Sequence, residues 1–235
     1  SAIKKYLPAY AGLLLEKEVV GLSKAIENPK KPFVLVLGGA KMETKLPVLK
    51  NLLHRADYVL IGGGIFNTYL KAKGYKISKS LVDNDYLKEA LKYCSPKKVI
   101  KPVDVVVGKK DGSSARVQDT SYKIQVTNGD VIYDIGPGTI RLYAKYIKQA
   151  QTIVWNGAMG YFEQKPYDVG TLSIARLVAS RSKGKAFGII GGGETLQAME
   201  KVKMTEFVDL VSTGGGAMLE FLAGKNLPGV KVVSK

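Results

Sequence analysis

Glu194 stands directly behind Gly191, Gly192 and Gly193 in the stretch AFGIIGGGETLQAME (186–200), and Lys41 and Lys45 stand four residues apart in GGAKMETK (38–45). In both places an apolar run suited to a buried strand ends in glycines and passes into a stretch that reads as helix. Bare main chain and the unpaired N–H groups of a helix start then face whatever binds there, which favours an anion and above all a phosphate. A helix opening after Gly39 would put Lys41 and Lys45 on one face. Those ammonium groups either neutralise a polyphosphate or form a solvated helix surface. An acid such as Glu194 is repulsive beside an anion unless a cation lies between them. Either it shares a Mg²⁺ with phosphate oxygens, or it is a first-turn acid that matches the helix dipole.

Other chemistries are excluded by composition. His54 is the single histidine and stands alone in LLHRADY, and Cys94 is the single cysteine and follows an amphipathic segment. Both read as packing or surface residues, so a Ser-His-Asp enzyme and a cysteine metal site are ruled out. No G-x-G-x-x-G occurs. The Gly-Lys pairs at 108–109, 184–185 and 224–225 are followed by Lys110, Ala186 and Asn226 rather than Ser or Thr, so no P-loop is present. What remains is a site of backbone, lysine and carboxylate, which suffices for phosphoryl transfer because catalysis there is positioning plus charge stabilisation. The formal net charge is +16, but the cations are mostly scattered lysines, and only Arg55, Arg116, Arg141, Arg176 and Arg181 are arginine. Base-edge and phosphate-fork recognition favours arginine, so the charge reads as a solvated surface that helps attract an anionic ligand, with no nucleic acid expected.

The elements that must position these groups repeat one layout. KPFVLVLGGAK (31–41), DYVLIGGGIFNTYL (57–70), QTIVWNGAMGYF (151–162), AFGIIGGGETL (186–196) and VDLVSTGGGAMLEFL (208–222) each run from apolar strand to glycines to helix or loop. PVDVVVGKK (102–110) supplies a sixth strand without the glycines. Continuous rather than alternating apolar strands imply burial on both faces. Amphipathic segments such as LPVLKNLLHRA and YLKEALKYC lie between them. The expected fold is α/β: a Rossmann-like, doubly wound, mainly parallel six-stranded sheet with helices on both faces. The alternating stretch 115–137 carries Asn128-Gly129 and predicts a small antiparallel hairpin. No linker composition interrupts the chain, so residues 1–235 read as a single domain. Ligands of such sheets bind beyond the carboxyl ends of the strands, where all five glycine clusters fall. No apolar run approaches the ~18 residues of a membrane span, the start SAIKKYLPAY lacks the apolar core of a secretion signal, and one cysteine suits a reducing compartment. A cytoplasmic protein with no membrane partner is expected.

The ordered set GLLLEKEV, PFVLVLGGAKMETK, IGGGIFNTYLKAKG, SLVDND, PVDVVV, DIGPGTI, TIVWNGAMGYFE, GIIGGGETL and STGGGAMLEFLAGKNLPGV resembles the C-terminal, nucleotide-binding half of phosphoglycerate kinase. That family moves a phosphoryl group between 1,3-bisphosphoglycerate and ADP in glycolysis, with Mg²⁺, giving 3-phosphoglycerate and ATP. The resemblance implies that Gly38, Gly39, Gly62, Gly63, Leu81 and Tyr133 surround adenine. It places Asn156, Ala158 and Glu163 along the ribose and phosphates, with Glu163 on the ribose hydroxyls. Lys41 and Lys45 would bind the phosphates and the group in flight, and Gly192, Gly193, Glu194 and Thr195 the metal-bound phosphates, with Glu194 the one candidate Mg²⁺ ligand. Thr213, Gly214, Gly215 and Gly216 would present a helix start to the migrating phosphoryl. Lys41, Lys45, Gly193 and Gly215 are thus the implied catalytic set. Three residues depart from the family's usual pattern: Glu194 replaces Asp, Ala158 replaces Pro, and Tyr133 replaces Leu. The resemblance further implies a monomer and an N-terminal substrate lobe that these residues do not include, so the chain reads as a fragment that binds Mg-nucleotide with negligible turnover alone. A hydride-transfer enzyme using NAD, a nucleic-acid binder and a non-catalytic nucleotide-binding module are the rival readings.

Overall fold

The computed structural model describes residues 6–120, 124, 126 and 129–233. In chain order the elements are α1 (Leu13–Glu27), β1 (Phe33–Leu37), α2 (Met42–Leu52), β2 (Tyr58–Ile61), α3 (Gly63–Ala72), α4 (Leu87–Cys94), β3 (Val99–Ile100), β4 (Asp104–Gly108), β5 (Arg116–Asp119), β6 (Val131–Ile135), α5 (Pro137–Ile147), β7 (Thr152–Asn156), α6 (Val169–Ser182), β8 (Phe187–Gly191), α7 (Gly193–Lys201), β9 (Leu210–Ser212), α8 (Gly216–Leu222) and α9 (Pro228–Val233).

Six strands form one sheet in the order β3-β2-β1-β7-β8-β9, and every neighbouring pair is parallel. The unbroken apolar strands explain why: β1 is buried at all five positions, and its side chains alternate between two cores. Phe33, Leu35 and Leu37 join the core that includes Leu22, Leu46, Leu49 and Ile65 from α1, α2 and α3. Val34 and Val36 face the opposite core, with Tyr143, Ile174 and Met199 from α5, α6 and α7. The sheet is therefore covered on both sides, as its period-free hydrophobicity requires.

One strand is placed differently from expectation. The segment at 102–110 was expected to extend the parallel sheet, but β4 pairs antiparallel with β5 and β6 in a separate three-stranded sheet of order β5-β4-β6. The sixth parallel strand is the two-residue β3. Pro102 has no N–H to continue the β3 ladder, and Asp104 turns away to cap a helix instead: its carboxylate accepts the N–H groups of Gly138 (2.7 Å) and Thr139 (2.6 Å) at the start of α5. The antiparallel excursion is therefore present, with β4 at its centre. The expected turn at Asn128-Gly129 falls partly outside the described residues, because Asn128 is not among them.

The chain leaves β1 toward β2 on one side and returns to β7 on the other. The switch point of the sheet lies between β1 and β7, where an open parallel sheet splits to admit a ligand. The glycines after β1, β2, β7, β8 and β9 all lie along this same carboxyl edge.

Candidate functional site

At the switch point the loops after β1 and β7 are laced together. Gly38 N–H donates to Asn156 O (3.0 Å) and Gly39 N–H to Ala158 O (2.7 Å), while Gly63 N–H reaches Met159 O (2.9 Å). The contact requires glycine at position 157, whose φ is 92°. A Cβ there would come within 2.4 Å of Gly38 O. Gly157 N–H donates to the Thr195 hydroxyl (2.7 Å), tying the β7 loop to the first turn of α7. The Glu194 carboxylate accepts from Ala158 N–H at 3.3 Å across the same junction.

Two hollows open on this lattice. One, of about 410 Å³, is mainly apolar and is lined by Gly39, Gly63, Leu81, Tyr133, Ala158, Glu163 and Glu194 together with Ala40, Gly64, Asn67, Lys79, Lys110 and Tyr161. The other, of about 510 Å³, holds the charged side chains and is lined by Gly39, Lys41, Lys45, Asn156, Gly192, Gly193 and Glu194 with Thr44 and Gln197. Gly39, Ala40 and Glu194 belong to both. The hollows therefore form one trough, with an aromatic-walled end, a cationic end and a carboxylate at the join.

Lys45 is half-buried in the first turn of α2, and burial pulls its ammonium below the usual lysine range while Glu194 pushes it back up. The expected shared helix face is not formed. Lys41 is the extended residue just before α2, with φ −115° and ψ 122°, and is exposed. The two lysines nevertheless line the same hollow. Asn156 is 1 % exposed. Its Nδ2 donates to Gly191 O at 2.8 Å, and its Oδ1 has no protein partner. Behind it, Gly192 (φ 91°, ψ 140°) turns the chain into α7, so the first N–H groups of that helix open onto the cationic hollow.

Other expected site residues lie elsewhere. Gly38 and Gly62 are buried beneath the floor and contribute backbone hydrogen bonds there. Thr195 is fully buried, its hydroxyl engaged by Gly157 N–H. Thr213 and Gly214 line a third, apolar hollow between α1 and α8, and Gly215 is exposed with φ 50°. Their loop is held by Glu18 of α1, whose carboxylate accepts from Thr213 N–H (2.9 Å), Thr213 Oγ1 (2.7 Å) and Ser212 Oγ (2.8 Å). Glu18 was not singled out from sequence, and no local signal marks it, because its partners are almost two hundred residues away. Asn67, which lines the mainly apolar hollow, was not singled out from sequence either. His54 sits exposed in the turn after α2 rather than within a helix. Cys94 is fully buried, as expected of a packing residue.

No described cluster of three or more His, Cys, Asp or Glu residues could hold a metal by itself. One carboxylate, Glu194, where the two hollows meet, fits a Mg²⁺ that takes its other ligands from water and a bound anion. An all-protein cage is absent among the described residues.

A protein-family model described as Phosphoglycerate kinase matches residues 1–225. The chain is 46% identical over 231 residues to a phosphoglycerate kinase of Coxiella burnetii, covering 97% of this chain and 58% of that protein. It is 43% identical over 237 residues to that of Thermosipho africanus, covering 99% of this chain and 59% of that protein. Two solved structures superpose on the fold. That of phosphoglycerate kinase from Coxiella burnetii has a TM-score of 0.86 at 43% identity, over 95% of this chain and 58% of that one. That from Pyrococcus horikoshii has a TM-score of 0.85 at 33% identity, over 98% and 58%. The chain thus spans a little under three-fifths of the length of these relatives. With nearly all of its own length matched in order and in fold, the chain belongs to the phosphoglycerate kinase family.

Proposed function

We propose that this chain is the nucleotide half of a phosphoglycerate kinase, a transferase that moves a phosphoryl group between 1,3-bisphosphoglycerate and ADP. The observation that carries the reading is the trough at the β1–β7 switch point, with Tyr133, Leu81 and Ala158 at one end, Lys41 and Lys45 at the other, and Glu194 between them. The apolar end suits the faces of adenine, and exposed Glu163 on its rim suits the ribose hydroxyls. Gly192, Gly193 and the start of α7 offer N–H groups to phosphate oxygens. The two ammonium groups offset the charge of the group in flight. Mg²⁺ would supply charge neutralisation between phosphate oxygens, with Glu194 as its protein ligand directly or through water. Glu194 has one more methylene than the family's usual Asp, so its oxygens reach back to Ala158 N–H.

The acid substrate is assigned to the part of the relatives that this chain does not cover. The exposed apolar residues Tyr6, Leu7, Tyr10, Leu13 and Leu14, of which Leu14 lines a hollow with Thr213 and Gly214, mark the surface against which that part would pack. In this reading the chain alone binds Mg-nucleotide as a monomer in the cytoplasm and turns over negligibly, because separating the two half-sites forfeits about 7–11 kcal/mol of proximity. Calorimetric titration with ADP, with and without Mg²⁺, tests it. Wild type is expected to bind more tightly with Mg²⁺ and Glu194→Gln to lose that difference. Absence of ADP binding sinks the proposal, and an unchanged Mg²⁺ effect in Glu194→Gln removes the metal role. An NAD enzyme would instead bind NADH in the same trough, and titrating NADH separates the two.

A further inference from the structure

The polar side chains lining the cationic hollow are Lys41, Thr44, Lys45, Asn156, Glu194 and Gln197. Thr44, Asn156 and Gln197 are the uncharged ones, and two of them are already committed to the scaffold. The Thr44 hydroxyl donates to Lys41 O (3.1 Å). Asn156 Nδ2 donates to Gly191 O (2.8 Å) and Met218 Sδ (3.9 Å), and its Oδ1 is sealed from solvent. Gln197 is exposed in the second turn of α7, and its amide has no partner among the described residues. It is therefore the one uncharged side chain of this hollow whose donors are unused. Its place along the trough is also defined. Glu194 lines both hollows, whereas Gln197, three residues on and on the same face of the helix, lines only the cationic one. A nucleotide whose base fills the aromatic-walled end runs its phosphates past Glu194 and into the cationic hollow, so Gln197 meets the end of that phosphate chain.

We propose that Gln197 is a phosphate-counting residue, its amide N–H groups donating to the third phosphate of a nucleoside triphosphate and finding no oxygen to meet in a diphosphate. The inference rests on the nucleotide reading above and deepens it, because it gives one side chain the task of telling apart the two nucleotides that the reaction interconverts. Lys41 and Lys45 are poorly suited to that task. A charge acts over many ångströms and attracts a diphosphate as well as a triphosphate. A neutral amide acts only at hydrogen-bond distance, through two donors and one acceptor. On a phosphate oxygen such a donor makes a charge-assisted bond. In a diphosphate complex the exposed amide keeps its water and loses nothing.

The test measures ADP and ATP affinities by calorimetry with excess Mg²⁺ on the wild-type chain, on Gln197→Ala and on Gln197→Glu. Gln197→Ala is expected to weaken ATP roughly three- to tenfold and to leave ADP within about twofold of wild type. Its ligand-free melting temperature should match that of wild type, because the residue is exposed. Gln197→Glu, equal in length but without donors, should weaken ATP at least as much. Unchanged ATP affinity in either variant overturns the assignment of Gln197. So does equal weakening of both nucleotides, which would put the amide on a phosphate they share. A wild-type chain that binds ADP but not ATP overturns it too, and in each of these cases the nucleotide reading stands. If neither nucleotide binds to wild type, the nucleotide reading falls and this one with it.

Discussion

Glu18→Gln isolates the contact that holds the β9–α8 loop. Glu18 as a whole residue is 8 % exposed; its Oε1 accepts twice from Thr213, and its Oε2 accepts from Ser212. A glutamine placed with its oxygen on Thr213 keeps two of these as neutral bonds and turns its amide nitrogen toward Ser212, whose hydroxyl can rotate to accept. The loss is mainly charge assistance, about 2 kcal/mol in all, so at pH 7 the melting temperature should fall by about 4–8 °C for a domain of this size. The pH dependence adds a second check. Burial alone would raise the Glu18 carboxyl, but the hydrogen bonds from Thr213, Ser212 and Gly214 outweigh it and hold the group below its ordinary 4.5. A carboxyl whose folded pKa lies below its unfolded value stabilises fully above the unfolded value and loses that contribution as pH falls through the folded one. The gap between wild type and Glu18→Gln should therefore be full at pH 7 and shrink below about pH 4.5, a comparison that circular dichroism melts at pH 7, 5, 4 and 3.5 can make. A variant as stable as wild type at pH 7, or a gap that stays constant into acid, would refute the reasoning.

Lys45→Met should weaken ADP binding roughly 10- to 100-fold through loss of charge-assisted phosphate contacts, measured by calorimetry, while raising the ligand-free melting temperature. Burial depresses this lysine below its unfolded value near 10.5, so the penalty it imposes is complete at neutral pH and fades in alkali; unchanged affinity contradicts its phosphate role. Gly157→Ala must force a Cβ to within 2.4 Å of Gly38 O at a φ of 92°, which should cost at least about 3 kcal/mol in urea denaturation, and a loss below about 1 kcal/mol would mean that the β1–β7 loops relax freely. Burial lifts the Cys94 thiol to about 12, so a thiol-specific chromogenic reagent at pH 8 should label it only after urea is added, and rapid labelling of the native chain would place it at the surface.

The fold was legible wherever burial on both faces wrote itself as an unbroken apolar run. β1, β2, β7 and β8 each occupy such a run, and the glycines that end them lie where strand must become helix without a side chain in the way. The sequence was less informative where local pattern and tertiary pairing disagree. DVVVG in β4 has the composition of a buried parallel strand, and its residues are indeed nearly all buried. Its partners are nonetheless antiparallel, a choice made by Asp104 capping α5 and by β6 arriving from the far side. Burial is readable from composition, whereas strand direction depends on connections that composition does not encode.

The same division holds within the trough. Residue types and spacing pick out Gly39, Lys45 and Glu194 because the chemistry they offer is local, absent side chains and charges, whereas Asn156 is implied only by the resemblance. They do not tell which atom meets a ligand and which holds the scaffold. Thr195 and Glu194 are neighbours at the start of one helix, yet one hydroxyl is buried against Gly157 N–H and the other carboxylate stands at the join of two hollows. The difference arises from the direction of side chains on the first turn of α7 relative to the β7 loop, a relation fixed only when β7 and β8 pair in register.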